Sequence, residues 1–170
     1  MLNKTIKLLI GIGACALLLC ACKENRVDTL FELNNIKSAF SSSLTSVSVY
    51  TSKADEGEDG HIDQGLIAAL LGKGGELPAE MSGIEEYSFF CASSVELCEV
   101  WVANCRTYSA ARALSQLFEK RRAFLSKIDF DSESDAKAAI SSQVLVQGKT
   151  VYFISAACGD DIAAYVKKNA

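Results

Sequence analysis

From Glu85 onwards, the chain contains the same order of predicted elements twice. Each copy has a strand, a turn, a second strand, a cysteine and then a helix. The first copy ends at Cys105 before a helix capped by Thr107, and the second ends at Cys158 before a helix capped by Asp160. A duplicated strand–strand–helix unit predicts an α+β fold, in which a four-stranded antiparallel sheet carries its helices on one face.

The helix after Thr107 has the clearest amphipathic pattern in the sequence, because apolar residues recur every three or four positions up to Ile128. We expect the core to bury a set of residues from this helix and from the strands: Leu114, Leu117, Phe118, Val100, Val102, Val151 and Phe153. Shorter helices are predicted over 28–41, 64–71, 135–140 and 161–168, and a short strand over 47–51. Asp28 is placed to cap or charge the start of the first helix, the glycine-rich run over 72–75 should stop the second, and Gly148 and Lys149 should form a hairpin turn. The predicted domain therefore covers 27–170, with 85–170 as its best-defined part.

Composition narrows the classes of function. Hydrophobic residues make up 49% of the 170 residues, which is enough for the core of one domain. The net charge is -4, and removing the two lysines before Cys22 takes it to about -6. An acidic chain disfavours general binding of nucleic acid. A single histidine leaves little imidazole for acid–base or metal chemistry, so we expect no cofactor.

The N-terminus has the three-part layout of a secretory signal. Two lysines lie within the first seven residues, an apolar run follows over 8–19, and small residues precede Lys23. The run is shorter than the ~20 residues that a membrane-spanning helix needs. We therefore expect a signal peptide over 1–21 that directs both export and lipidation. The alternative is a plain secretory signal or a membrane anchor, in which the cysteines are incidental.

The sequence Leu19-Cys20-Ala21-Cys22 resembles the lipobox of bacterial lipoproteins, although Cys20 departs from the usual small residue. This resemblance implies cleavage before Cys22 and diacylation of its thiol. Two acyl chains anchor a protein stably. We expect Cys22 to be the lipidation site, 22–26 to be a tether, and the domain to lie on the outer face of the cytoplasmic membrane. Cys15 ends a similar motif that would leave too short an apolar stretch.

Three further segments carry a family resemblance: 93–102, the helix through Leu117–Arg122 and Phe124, and 146–154. Together with the lipobox, they resemble a family of small bacterial lipoproteins, common in Gram-positive anaerobes and defined as a domain of unknown function. The resemblance covers roughly 85–166. It implies export and an α+β domain, and it brings no catalytic residues with it.

Four cysteines remain after Cys22: Cys91, Cys98, Cys105 and Cys158. Outside the membrane an even number can form disulfides, with Cys91 and Cys98 as cross-strand neighbours and Cys105 and Cys158 at the ends of adjacent strands. Buried free thiols are the favoured alternative, because apolar residues surround three of the four. The spacings do not fit a zinc site. Cys105 or Cys158 would be the nucleophile of a hydrolase or thiol-redox enzyme, because each precedes a helix N-terminus.

The acidic segment over 55–63 partly resembles a calcium-binding loop. Asp55, Asp59 and Asp63 match ligand positions, but Leu66 replaces the bidentate acid on which much of the affinity depends. A solvated loop is the better interpretation, with His61 as a surface residue, and a weak calcium-binding module is the alternative.

Basic residues concentrate on and after the helix that follows Thr107. Arg112, Lys120, Arg122 and Lys127 form a candidate interaction patch for an envelope protein or an anionic polymer, while an ordinary solvated helix face is the alternative. The sequence lacks a positioned acid–base pair, so we expect a non-catalytic binding module held at the membrane.

Overall fold

The computed structural model of the chain describes residues 26–92 and 96–169. The predicted signal peptide, the lipidation site Cys22, most of the tether and residues 93–95 of the first predicted turn lie outside the described residues. In chain order the elements are α1 (Thr29–Ala39), β1 (Val47–Thr51), α2 (Gln64–Leu71), a 3-10 helix (Ala79–Gly83), β2 (Ile84–Ala92), β3 (Glu99–Cys105), α3 (Tyr108–Leu125), α4 (Glu133–Ile140), β4 (Gln143–Gln147), β5 (Thr150–Ser155) and α5 (Gly159–Asn169).

The five strands form one antiparallel sheet in the order β1-β2-β3-β5-β4. The α+β class and the antiparallel sheet are confirmed, but the prediction of four strands is wrong. Strand β1, which the alternation over 47–51 predicts, adds to the outer edge of β2, with Val49 opposite Phe90. The alternation of apolar and polar residues identifies such a strand locally. Its neighbour in the sheet cannot be identified locally, because β1 pairs with residues about 40 positions later in the chain.

Helices cover both faces of the sheet, so the prediction that they pack on one face is also wrong. Helices α2, α3 and α4 pack on the face that contains Phe89, Trp101 and Phe153. Helices α1 and α5 pack on the other face, against Phe90 and Tyr152. Strands β3 and β5 are buried along their whole length, because both of their faces meet a helical layer.

The two strand–strand–helix units are therefore not related by symmetry. A twofold axis that exchanges the antiparallel strands β3 and β5 runs perpendicular to the sheet, and it would leave α3 and α5 on the same face. Antiparallel pairing also separates Cys105 from Cys158. Ala103 pairs with Val151, near the start of β5, whereas Cys158 follows the end of that strand. The two cysteines consequently lie at opposite ends of the sheet.

Two predicted helix caps are confirmed and one is wrong. Asp28 accepts hydrogen bonds from the N–H groups of Leu30 and Phe31, and Thr107 accepts one from Ala110. Helix α5 begins at Gly159, before the expected cap Asp160. The Asp160 carboxylate instead accepts a 2.6 Å hydrogen bond from Gln143 Nε2, because the chain turns into the helix earlier than the charge pattern indicates.

The core on the α3 side is built from stacked aromatic rings. Trp101 stacks on Phe89 with 4.0 Å between ring centres, and Phe118 of α3 stacks on Phe153 of β5 at 5.2 Å. All seven residues expected in the core are buried, which confirms that prediction. Full burial of one such side chain contributes about 1.5–3 kcal/mol, so these rings fix the position of α3 on the sheet.

Candidate functional site

A groove of about 540 Å³ lies between the end of α2, the segment over 72–78 and the second half of α3. Its apolar lining includes Leu70, Leu77, Leu117 and Phe124. Leu77 and Phe124 are 42% and 57% exposed, which is unusual for large apolar side chains at one place on the surface. Pockets that bind small molecules have volumes of ~300–1,000 Å³ and a mostly apolar lining, and the groove fits this description.

A tight turn shapes one wall of the groove. Gly74 and Gly75 both have positive φ angles, and Lys73 bridges to Glu76 across them in an antiparallel pair. Gly72, the C-cap of α2, precedes this turn. A Cβ atom at this position would collide with the backbone carbonyl oxygens of Ala68 and Glu76. The glycine-rich run expected to stop a helix therefore also brings the chain back against α3.

A buried ion pair supports the floor of the groove. Arg121 of α3 lines the groove, and its Nη2 and Nε atoms lie 2.9 and 3.3 Å from Glu99 Oε2. The other carboxylate oxygen of Glu99 accepts a 2.7 Å hydrogen bond from Trp101 Nε1. Glu99 is buried at the start of β3, so both of its oxygens have partners. This arrangement fixes the Arg121 guanidinium while leaving further N–H groups for a ligand.

The structure gives the four residues of the predicted interaction patch different surroundings. Lys120 lines the groove, with Nζ 3.9 Å from Glu80, whereas Arg122 pairs with Glu119 at 2.8 Å in solvent. Successive helical residues are ~100° apart, so Lys120 and Arg122 point about 160° apart around α3. Arg112 is exposed near the start of α3, and Lys127 is exposed beyond its end. Only Lys120 contributes to the groove.

All four described cysteines are free thiols. Burial raises the pKa of Cys98 to about 12 and that of Cys105 to about 11, and it also raises the pKa of Cys91 and Cys158. Cys91 and Cys98 are not cross-strand neighbours: Cys91 pairs with Glu99, and the Cys98 carbonyl accepts from the N–H of Ala92. Since a thiol reacts as its thiolate, none of these environments activates a nucleophile.

The acidic loop over 55–63 uses its polar groups locally. Asp63 caps α2 by accepting from the Gly65 N–H at 2.7 Å, and His61 Nδ1 lies 3.1 Å from the Ala54 carbonyl oxygen. Glu58 accepts from the Asp55 N–H at 3.0 Å. Within 26–92 and 96–169, no three His, Cys, Asp or Glu side chains are arranged to hold a metal ion. Asp63, one of the three residues that match calcium-ligand positions, therefore serves as the cap of α2.

Sequence reasoning missed Arg121, Leu77 and Phe124 as parts of one surface. Arg121 is adjacent to Arg122, and only the register of α3 on the sheet distinguishes the buried guanidinium from the exposed one. The polar residue Glu99 at a buried strand position was the signal that a basic partner lies opposite it. Among the described residues, no helix is both long enough and apolar enough to cross a membrane.

The chain was compared with protein-family models, with curated proteins and with solved structures. It has no significant match to any of the three.

Proposed function

We propose that the chain is a lipid-anchored envelope protein that binds an amphipathic small molecule in the α2–α3 groove without transforming it. The observation that carries the proposal is the groove itself, where exposed Leu77 and Phe124 flank a fixed guanidinium, that of Arg121. An apolar lining with a few convergent polar groups is what small-molecule sites have in common.

The lining favours a ligand with an apolar body and a hydrogen-bond acceptor at one end. Leu70, Leu117 and Phe124 supply apolar contact, and Arg121 supplies N–H donors held in place by Glu99. Lys120 and Glu80 lie at the rim and offset each other's charge. A preorganised donor loses little conformational entropy on binding, which makes Arg121 the residue we expect to orient the ligand.

A binding role agrees with the state of the reactive side chains. The thiols that would serve a hydrolase or redox enzyme, Cys105 and Cys158, have pKa values raised by burial. A catalytic carboxylate or thiolate must have a pKa near the working pH. A buried thiol has a raised pKa and forms less thiolate at that pH, so it is a weaker nucleophile than an exposed thiol. The alternative of a thiol enzyme therefore has less support than ligand binding.

The anchor and the location are proposed from the sequence. The basic start, the apolar run and the lipobox ending at Cys22 support export and acylation. The resemblance to a lipoprotein family is part of the same proposal. Anchoring at the outer face of the membrane would concentrate the groove where envelope ligands occur.

The amphipathic dye 1-anilinonaphthalene-8-sulfonate tests the groove, because it combines an aromatic body with an anionic group. We expect the native protein to increase the dye's fluorescence, and Leu77→Asp or Phe124→Asp to lose most of that increase. Ile140→Asp is the matched control, since Ile140 is 80% exposed and does not line the groove. Circular dichroism checks that each variant is folded. Equal dye binding by all three variants and the native protein would rule out the groove as the site.

A further inference from the structure

The chain enters the fold at one end of the sheet and is fixed there by hydrogen bonds. Asn104, near the end of β3, donates from Nδ2 to the Val27 carbonyl oxygen at 2.6 Å. Arg26 forms a 2.7 Å ion pair with Glu85 at the start of β2. Thr29 donates from both its backbone N–H and its hydroxyl to Glu86. Residues 26–29 therefore have a defined place at this end.

The distance between this end and the proposed acylated cysteine is short. Arg26 lies four positions after Cys22, and an extended chain spans at most ~3.3–3.6 Å per residue, or about 14 Å in all. If Cys22 carries the lipid, as the proposed function states, the end of the sheet that holds Arg26 stays next to the headgroups. The opposite end lies about 20 Å further away, since β3 has seven residues.

Basic side chains gather at the same end of the molecule. Arg106 follows β3, and Lys149 lies in the turn between β4 and β5. Helix α5 runs back along the sheet and ends at the same end as Lys149. The contact of 3.5 Å between Gln147 Nε2, at the end of β4, and the Val166 carbonyl oxygen shows this placement. The last turn of the helix carries Lys167 and Lys168, which are both exposed.

An exposed aromatic ring accompanies these cations. Tyr108 begins α3 two positions after Arg106 and is 62% exposed. The Nζ atom of Lys149 lies 5.5 Å from the centre of the Tyr108 ring. Tyrosine and basic residues together are enriched where proteins meet the headgroup layer, because the ring is amphipathic and the cations attract anionic lipid.

The acidic groups near this end lie towards β1 and β2. Glu85 pairs with Arg26, while Asp28 and Glu86 pair with Lys53 at 3.1 Å each. The acidic loop over 55–63 continues from β1, at the far edge of the sheet from β4. Positive charge is thus concentrated on the β3-β5-β4 side, next to the point where the chain enters.

We propose that Arg106, Tyr108, Lys149, Lys167 and Lys168, here called the tether-end surface, dock on anionic lipid headgroups. Docking orients the domain so that the second half of α3 and the α2–α3 groove face away from the bilayer. Phe124 lies 16 positions after Tyr108 along α3, which corresponds to about 24 Å of helix. The groove then stays open to ligands outside the membrane.

The surface is tested first without the lipid anchor, so that the result does not depend on acylation. A chain that begins at residue 22 contains every described element and is sedimented with vesicles of phosphatidylglycerol or of phosphatidylcholine. We expect binding to phosphatidylglycerol vesicles alone, weakening as salt is raised. Changing Arg106, Lys167 and Lys168 to Glu should lower the affinity by more than about tenfold.

The matched control changes Arg122, Lys127 and Lys137 to Glu, which alters the net charge equally, at exposed positions outside both the tether-end surface and the groove. We expect this control to leave affinity within about twofold, because screening confines the attraction to charges near the surface. Equal loss in both variants, or equal binding to phosphatidylcholine, would overturn the proposal.

Orientation is tested in the acylated full chain by placing a photo-crosslinking benzoylphenylalanine at Tyr108 or at Ile140, in membranes containing phosphatidylglycerol. Ile140 is exposed at the opposite end of the sheet, because β4 begins three residues later, at the end where β5 finishes. We expect lipid adducts at position 108 and several-fold fewer at 140. Adducts at both positions, in protein whose acyl labelling is intact, would contradict the orientation while leaving the anchor in place.

Discussion

Arg121 and Glu99 form an ion pair at 2.9 Å between helix α3 and the central strand β3, directly beneath the groove. The side chain of Glu99 is almost wholly buried, and that of Arg121 is only slightly exposed. The pair therefore links the packing of α3 to the position of the Arg121 guanidinium, which lines the groove.

Replacing Arg121 with Met should destabilise the protein by about 3–5 kcal/mol, because the Glu99 carboxyl would be left buried without its basic partner. The double change Arg121→Met and Glu99→Gln should recover part of that loss, since it removes the unpaired charge. Urea denaturation measures both effects. Arg122→Met is the control, and it should cost less than about 1 kcal/mol because its pair with Glu119 is exposed. Equal costs for the two single changes would contradict the buried pair.

Leu114→Ala should cost about 2–5 kcal/mol, because Leu114 is fully buried between α3 and the sheet and its removal leaves a cavity. Ile140→Ala, on an exposed side chain, should change the free energy of unfolding by less than about 0.5 kcal/mol. Chemical denaturation of the two variants makes the comparison. A small loss at Leu114 would mean that α3 does not pack on the sheet as described.

Stability should decrease in acid through Glu86. Although burial raises the pKa of Glu86, hydrogen bonds from Thr29 and Lys53 outweigh it and lower the pKa below its ordinary value of 4.5. A carboxyl whose pKa is lower in the folded chain stabilises the fold fully above the ordinary value. That contribution is lost as the pH falls through the lowered one.

Glu86→Gln should therefore lower the free energy of unfolding near neutral pH by about 1–3 kcal/mol. It should also flatten the pH dependence of stability below the ordinary carboxyl range. Thermal denaturation across a pH series measures the slope. The control Glu56→Gln, in the exposed loop, should keep the native slope. An unchanged slope in the Glu86 variant would show that this carboxylate does not secure the start of the chain.

The thiols should react slowly with iodoacetamide at neutral pH. The pKa values of Cys98 and Cys105, about 12 and about 11, leave little thiolate there, so the labelling rate should rise about tenfold per pH unit. Mass spectrometry locates the labelled residue. Rapid labelling near pH 7 that disappears with Cys105→Ser or Cys158→Ser would instead support a thiol enzyme.

Changing Cys22 to Ala should abolish acyl labelling and leave unprocessed precursor, because the thiol that accepts the lipid would be absent. Metabolic labelling with a palmitate analogue, followed by gel electrophoresis, measures both results. Cys15→Ala and Cys20→Ala are the controls and should be labelled normally. Loss of label in either control, with label retained in the Cys22 variant, would assign lipidation to Cys15 or Cys20 instead of Cys22.

Most local structure could be predicted because it depends on neighbouring residues. The caps at Asp28 and Thr107, the periodicity of α3 and the turn at Gly148 each lie within a few positions of the element they define. The face on which α5 packs could not be predicted in this way. All six residues of β5 are buried, so its sequence does not alternate and gives no preference between the two faces.

The candidate site was harder to predict than the fold, because its parts come from distant segments. Leu77 follows a glycine turn and Phe124 lies 47 positions later, and neither has a local pattern that relates it to the other. The charge pattern of α3 correctly identified a basic helix, but it could not distinguish Arg121 from Arg122. Only the packing of α3 against Glu99 separates them.

Strand β3 is buried on both faces, between two helical layers, and has a neighbouring strand on each edge. Detachment of either layer uncovers that strand, so we expect the two layers to unfold in a single cooperative transition. We therefore expect the amide protons of β3 to be among the slowest in the domain to exchange with solvent. A protease should consequently reach this strand only through opening of the domain, at the rate of unfolding when cleavage is faster than reclosing, whichever surface it meets first.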